Sequence, residues 1–155
     1  MHIVDFLDKD NIKIPLSSSK KNEIIKELLD IISDRAPSID RKEAYSSLLE
    51  REKLGTTGIG SGVALPHARM ENLRQVHFAF GISPDGSYFD SMDGKFVNLI
   101  FLILFPAHEV TTQVQLLARL SRFLHDKKLR KRLLECNTGQ RVIDVLTQYE
   151  QDHFN

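Results

Sequence analysis

Tryptophan is absent from this chain of 155 residues, and cysteine occurs once, as Cys136. A single cysteine excludes an internal disulfide, and a reducing, cytoplasmic setting fits that composition. Charge of one sign is also lacking: 21 Lys and Arg stand against 21 Asp and Glu, for a formal net charge of +0 and a pI near 7.0. That balance argues against binding nucleic acid through bulk charge. No apolar run is long. The longest, LIFLILF at 99–105, is far short of the roughly 20 residues that span a bilayer, so no membrane insertion is expected. The opening MHIVDFLDKD has neither a basic n-region nor a long apolar h-region, and no export signal is visible. No histidine or carboxylate pair has metal-ligand spacing, neither H-x-x-x-H nor H-E-x-x-H, so no metal is expected and no cofactor is called for.

What is present suits a globular domain. Apolar residues make up 41% and charged residues 27%, enough to bury a core while remaining in solution. No linker, repeat or low-complexity block divides the chain, and one domain over 1–155 is expected. IKIP at 12–15 reads as a brief strand. Ile24, Ile25, Leu28, Leu29, Ile31 and Ile32 fall at helical spacing, with Ser18 or Ser19 as cap and Pro37 as stop. A second helix starts at Asp40, with Glu43 as capping-box partner, apolar residues Ala44, Tyr45, Leu48 and Leu49, and Gly55 past its end. Val76, Phe78, Phe80 and Ile82 alternate as a strand does, and SPDG at 83–86 reads as the turn that ends it. FVNLIFLILF, 96–105, is apolar at both parities, the pattern of a central strand with both faces covered. Val114, Leu117, Ala118, Ser121 and Leu124 predict a helix, followed by a short basic helix at 127–134 and a last helix at 138–149. The expected class is α/β, a three-layer α/β/α sandwich around a mixed sheet of about five strands.

TTGIGSGVALPHAR, 56–69, is the densest stretch. A Walker A loop would need lysine where Ser61 stands, and a dinucleotide fingerprint would need G-x-G-x-x-G after a strand. Neither holds. The glycines suit a loop whose backbone approaches an anion or a partner closely, or a plain irregular turn. His67 follows Pro66, whose fixed φ biases Leu65 toward extended backbone. A neutral imidazole held by so stiff a segment is a competent nucleophile toward phosphorus, although a lone histidine is also a common surface residue. Thr56, Thr57, Ser61 and nearby backbone N–H groups such as that of Gly58 are candidates to hold phosphoryl oxygens.

REKLGTTGIGSGVALPHAR, 51–69, resembles the active-site signature of type 2 enzyme IIA (EIIA) domains of the bacterial phosphotransferase system. This is the fructose/mannitol class, which includes the nitrogen-regulatory enzyme IIA. The resemblance extends roughly from Ile14 to Leu146 and takes in LLARLSRFL after the central strand. It implies an α/β sandwich in which His67 accepts a phosphoryl group from phospho-HPr or a related phosphocarrier. Arg51 would lie beside it as a permanently charged, forked donor. It also implies that Gln113 stands where sugar-transferring members often carry a second histidine. A solitary domain resembles the regulatory type, which points to a regulated target protein. The alternatives are a sugar-specific component passing phosphate to an EIIB partner, and a binding module in which His67 never reacts.

The remaining residues are expected to be ordinary. His77 falls on the parity opposite Phe78 and Phe80 and reads as structural. His108 reads as a loop residue, and His2, His125 and His153 as surface residues. KKLRKR, 127–132, holds five basic residues in six. It reads as the solvated face of a helix whose Leu129 and Leu133 point inward, with a patch for an acidic partner as the other reading. Cys136 reads as a small, partly buried residue.

Overall fold

Residues 97–106 are apolar at both parities because the strand they form is covered on both faces. The computed structural model describes residues 1–154. Strands β1 (Ile12–Lys13), β2 (Gly58–Gly60), β3 (Val63–Ala64), β4 (His67–Met70), β5 (His77–Ser87) and β6 (Val97–Pro106) form one sheet. Its order is β1-β5-β6-β3-β2, with β4 also on β6. β5 is antiparallel to β6, while β1 lies parallel to β5 and β3 and β4 lie parallel to β6. β3 pairs at Leu99–Ile100 and β4 at Ile103–Pro106, so the two continue one another along β6 across the gap at Leu65 and Pro66. Six strands therefore occupy five columns, in accord with the predicted mixed sheet.

Helices α1 (Lys21–Arg35) and α2 (Arg41–Lys53) cover one face. Their Ile24, Ile25, Leu28, Ala44 and Leu48 pack with Ala79, Ile100, Leu102 and Leu104. Helices α3 (Val110–Leu124), α4 (Lys127–Leu134) and α5 (Gly139–Phe154) belong to the other. There Leu116, Leu120, Leu133, Val142 and Leu146 pack with Phe78, Phe80, Phe101 and Phe105. A buried carboxylate closes this layer: Glu150 of α5 accepts hydrogen bonds from the N–H groups of Ile3 (2.8 Å) and Val4 (2.9 Å). His2 pairs with the same carboxylate at 3.3 Å, so it is half-buried rather than a free surface residue.

Four sequence expectations need correction. Helix α1 is capped at Lys20, not at Ser18 or Ser19. The N–H groups of Ser17 and Ser18 instead donate to the Glu27 carboxylate at 2.8 and 3.0 Å, a stronger, charged acceptor one turn inside the helix. SPDG does not end its strand. β5 runs on to Ser87, which pairs with Val97, and the register shift between Ile82 and Ser87 bows these residues out as a bulge. Helix α3 buries Leu116, Leu120, Phe123 and Leu124 rather than Val114 and Ala118, because the larger side chains remove more apolar area from water. Val114 is left 61% exposed. The last helix continues beyond Tyr149 to Phe154. Asp40 does cap α2, accepting from the Glu43 N–H at 3.1 Å.

Candidate functional site

The glycine-rich segment is a short antiparallel hairpin. β2 and β3 pair through Gly58↔Ala64, and Ser61 sits at the tip with φ +56 between two glycines of positive φ. Gly62 needs its freedom twice over: its φ is +79, and a Cβ there would lie 3.0 Å from the Asn98 amide oxygen. The chain then passes through Leu65 and Pro66, whose carbonyl accepts from Ile103 N–H at 3.0 Å. His67 is thus the first residue of β4, held in register opposite Ile103, and not the end of a loop.

The His67 ring is buried, 9% exposed, and packs edge-on to Phe105 at 6.3 Å between centroids. Its Nδ1 lies 2.8 Å from the Leu65 carbonyl oxygen. A carbonyl only accepts, so the proton is on Nδ1 and Nε2 carries the free lone pair. Burial is the main cause of a pKa held below the ordinary histidine value, with Arg51 and Arg69 acting in the same direction and the Leu65 hydrogen bond and Glu52 opposing them. The ring is accordingly neutral near pH 7.

A cavity of about 730 Å³ opens beside it. Arg51 and Leu54 at the C-terminal end of α2, Arg69 and Ala107 from the sheet side, and Gln113 of α3 contribute to its lining together with His67. Among the described residues β4 pairs only with β6. The cavity therefore brings together α2 from one face of the sheet and α3 from the other. Arg51 donates from Nη1 to the Gly55 carbonyl at 2.8 Å, closing the end of its own helix while remaining at the cavity. Glu50 and Glu71 also reach the lining, and Glu50 is paired with Lys53 at 3.2 Å. The side-chain oxygen of Gln113 is buried without a hydrogen-bond partner.

Of the residues singled out from sequence, His67, Arg51 and Gln113 thus share one cavity. Thr56, Thr57, Gly58 and Ser61 do not line it. Thr57 is buried, and its hydroxyl donates to Glu52, which also accepts from Thr57 N–H at 3.2 Å and pairs with Lys21 at 2.6 Å. The Thr56 hydroxyl donates to the Phe89 carbonyl at 3.2 Å and accepts from Gly58 N–H at 3.0 Å. Ser61 N–H donates to Asp93 at 3.0 Å. These groups hold the hairpin against α2 and the loop at 89–93. Arg69 received no role from the sequence, yet its signal was there: residues i and i+2 of a strand face the same way. His108 is exposed in the turn before α3, and His77 opens β5, half-buried, with burial lowering its pKa. No group of three or more His, Cys, Asp or Glu side chains is placed to hold a metal among the described residues. Nor is any described helix long and apolar enough to cross a membrane.

His67, with its Nε2 lone pair free, thus shares one cavity with the Arg51 and Arg69 side chains in an α/β sandwich. The chain belongs to the family described as phosphoenolpyruvate-dependent sugar phosphotransferase system, EIIA 2, whose model matches residues 5–149. It is 41% identical over 128 residues to the PTS system fructose-specific EIIA component of Haloferax volcanii, covering 83% of each. It is 35% identical over 152 residues to the fructose-specific EIIABC component of Bacillus subtilis, which covers 97% of this chain, while the chain spans only 24% of that longer protein. Among solved structures, the nitrogen regulatory protein IIA-Ntr of Neisseria meningitidis superposes with a TM-score of 0.87 at 29% identity, covering 93% of this chain and 98% of that one.

Proposed function

We propose that this protein is a phosphoryl carrier in which Nε2 of His67 accepts a phosphoryl group from a phosphohistidine of HPr or a related carrier in the cytoplasm. The observation that supports it is the ring's arrangement: Nδ1–H engaged by the Leu65 carbonyl, Nε2 free, and Arg51 and Arg69 beside it. In the transfer, the Nε2 lone pair forms the new N–P bond while the donor's N–P bond breaks and returns its electron pair to the donor ring. The acceptor ring gains positive character and keeps its Nδ1 proton, which the Leu65 carbonyl stabilises. Arg51 and Arg69 disfavour a protonated ring but favour the phosphoryl dianion that replaces its lone pair, so they stabilise the product relative to the reactant. The exposed Leu54, Val110 and Val114, at 85%, 48% and 61% exposure, give the neighbourhood of the cavity an apolar surface for a partner to cover.

Downstream, the protein acts as a regulatory switch whose phosphorylation state controls a target protein. The likeness to IIA-Ntr supports this, as does Gln113, whose amide donates hydrogen bonds to phosphoryl oxygens but cannot ionise. The second reading, transfer to an EIIB partner in sugar uptake, is supported by the fructose-named relatives. The test is phosphorylation by phosphoenolpyruvate, enzyme I and HPr, read as an acid-labile mass increase of one phosphate. It is expected in the wild type and lost in His67→Ala with the fold retained. Near-wild-type labelling of that variant would refute the assignment, and no labelling by any cognate donor would favour a binding module. Loss of the label on adding a fructose-type EIIB domain separates the second reading from the first.

A further inference from the structure

Helix α4 carries charges that work against its own stability. Lys127 and Lys128 occupy its first turn with no acidic residue there, and Glu135 stands at its C-cap. Both placements oppose the helix dipole, which favours anions at the start and cations at the end, while Asp126 at the N-cap and Lys131 and Arg132 in the last turn suit it. Lys127 with Lys131, and Lys128 with Arg132, are like-charge pairs at i, i+4, each unfavourable by a few tenths of a kcal/mol in an isolated helix. Arg130 is employed within the fold, donating to the carbonyls of Leu124 and His125 at 2.9 Å each. The other four cations are exposed, and none has a carboxylate within ion-pair distance among the described residues. Leu129 and Leu133 hold the opposite face of α4 in the core, so the four cations stand together on an anchored surface.

We propose that Lys127, Lys128, Lys131 and Arg132 form a docking surface for an acidic segment of a partner protein, separate from the His67 cavity. The size of the patch favours a protein. Four cations on an eight-residue helix cover about 12 Å at most. That matches a short run of carboxylates, whereas a duplex binder draws its affinity from neutralising many phosphates along a longer backbone. No aromatic side chain on α4 offers a base a stacking platform. Only Leu134 is an exposed apolar residue on the helix, at 41%, too little for an interfacial membrane helix, which inserts a whole apolar face. Gln113 marks the His67 cavity near the start of α3, and α4 begins beyond the far end of that helix. The eleven-residue step from Gln113 to Leu124 separates them by about 16 Å along the axis. A segment seated on α4 leaves the cavity open, so docking and phosphorylation are able to occur on one molecule.

The test titrates the full chain, isotopically labelled, with a synthetic oligoglutamate peptide while amide chemical shifts are followed. Saturable shifts centred on α4 are expected, weakened more than tenfold in K127Q/K128Q/K131Q/R132Q and also weakened by added salt. The same variant should phosphorylate at the wild-type rate and melt no lower than the wild type, because the like-charge pairs it relieves offset the last-turn cations it removes. Absence of saturable shifts on α4 would overturn the proposal. So would shifts centred on Arg51 and Arg69 that the variant leaves unchanged, or a lowered melting temperature showing the cations to be structural. Tighter binding of phosphatidylserine vesicles or duplex DNA to α4 than of the peptide would overturn it in favour of those ligands.

Discussion

A single hydrogen bond decides which nitrogen of His67 is available. The Leu65 carbonyl claims Nδ1–H, and the extended backbone ahead of Pro66 is what carries that carbonyl back to the ring. The two flanking guanidiniums differ in how they are held. Arg51 is tied to Gly55, whereas Arg69 projects from β4 and is exposed. Arg51→Ala is expected to slow phosphoryl transfer from HPr more than tenfold, about 1.4 kcal/mol or more. Its unfolding free energy should change by less than about 1 kcal/mol. Arg69→Gln should slow transfer as well, by a smaller factor, since its charge is more exposed to water. Stopped-flow transfer rates and urea unfolding of both variants check this pair. A variant that labels normally but unfolds early would mark its arginine as structural. Gln113→His should add a second titration to the rate between about pH 5 and 8. Superimposable pH profiles for wild type and variant would mean that position 113 does not face the phosphoryl group.

Among the elements, the hairpin β2–β3 is set against α1 and α2 by one carboxylate. Glu52 accepts from the N–H and hydroxyl of Thr57 and pairs with Lys21, and its side chain is only 6% exposed. Lys21 in turn lies over the Phe89 ring at 5.3 Å. Glu52→Ala strands a partly buried lysine and two donors, and should destabilise the fold by about 2–4 kcal/mol in chemical unfolding. A loss under about 1 kcal/mol would show the network to be dispensable. This network also explains what was legible from sequence and what was not. The composition of TTGIGSG announced hydroxyls and flexible backbone, but it did not reveal that Glu52 and Phe89 had already engaged the threonines. Strand β6 was legible because burial on both faces leaves no polar residue to confuse the pattern. The α3 face was not, because two overlapping apolar stripes compete on that helix and only packing chooses between them. SPDG carried a true signal for irregular backbone, realised as a bulge because Val97 continues the pairing with Ser87.

Across the whole molecule, one buried and one half-buried histidine make stability depend on pH. His67 and His77 both have folded pKa values below the ordinary 6.5, chiefly through burial. Below that value the unfolded chain binds protons that the folded chain refuses, so stability rises with pH. The contribution is complete above about pH 6.5 and declines as the pH falls toward the folded values. Thermal unfolding between about pH 5 and 8 should show this trend, flattened in His77→Gln. A profile that is level for the wild type, or unchanged by the substitution, would contradict it. The histidine motif and the arginine ahead of it were legible because they are contiguous in sequence. Arg69 was hidden by having no motif of its own, and the N-terminal pairing of His2 with Glu150 by a separation that nearly spans the chain.

The most direct measurement is nitrogen-resolved NMR of the protein, with its histidines labelled with ¹⁵N, after treatment with phosphoenolpyruvate, enzyme I and HPr. The expected result is one phosphohistidine, at His67, with phosphorus on Nε2 and the proton retained on Nδ1. Phosphorus on Nδ1 of His67, on another histidine, or on none of them would contradict the arrangement of ring, carbonyl and arginines on which the functional reading stands.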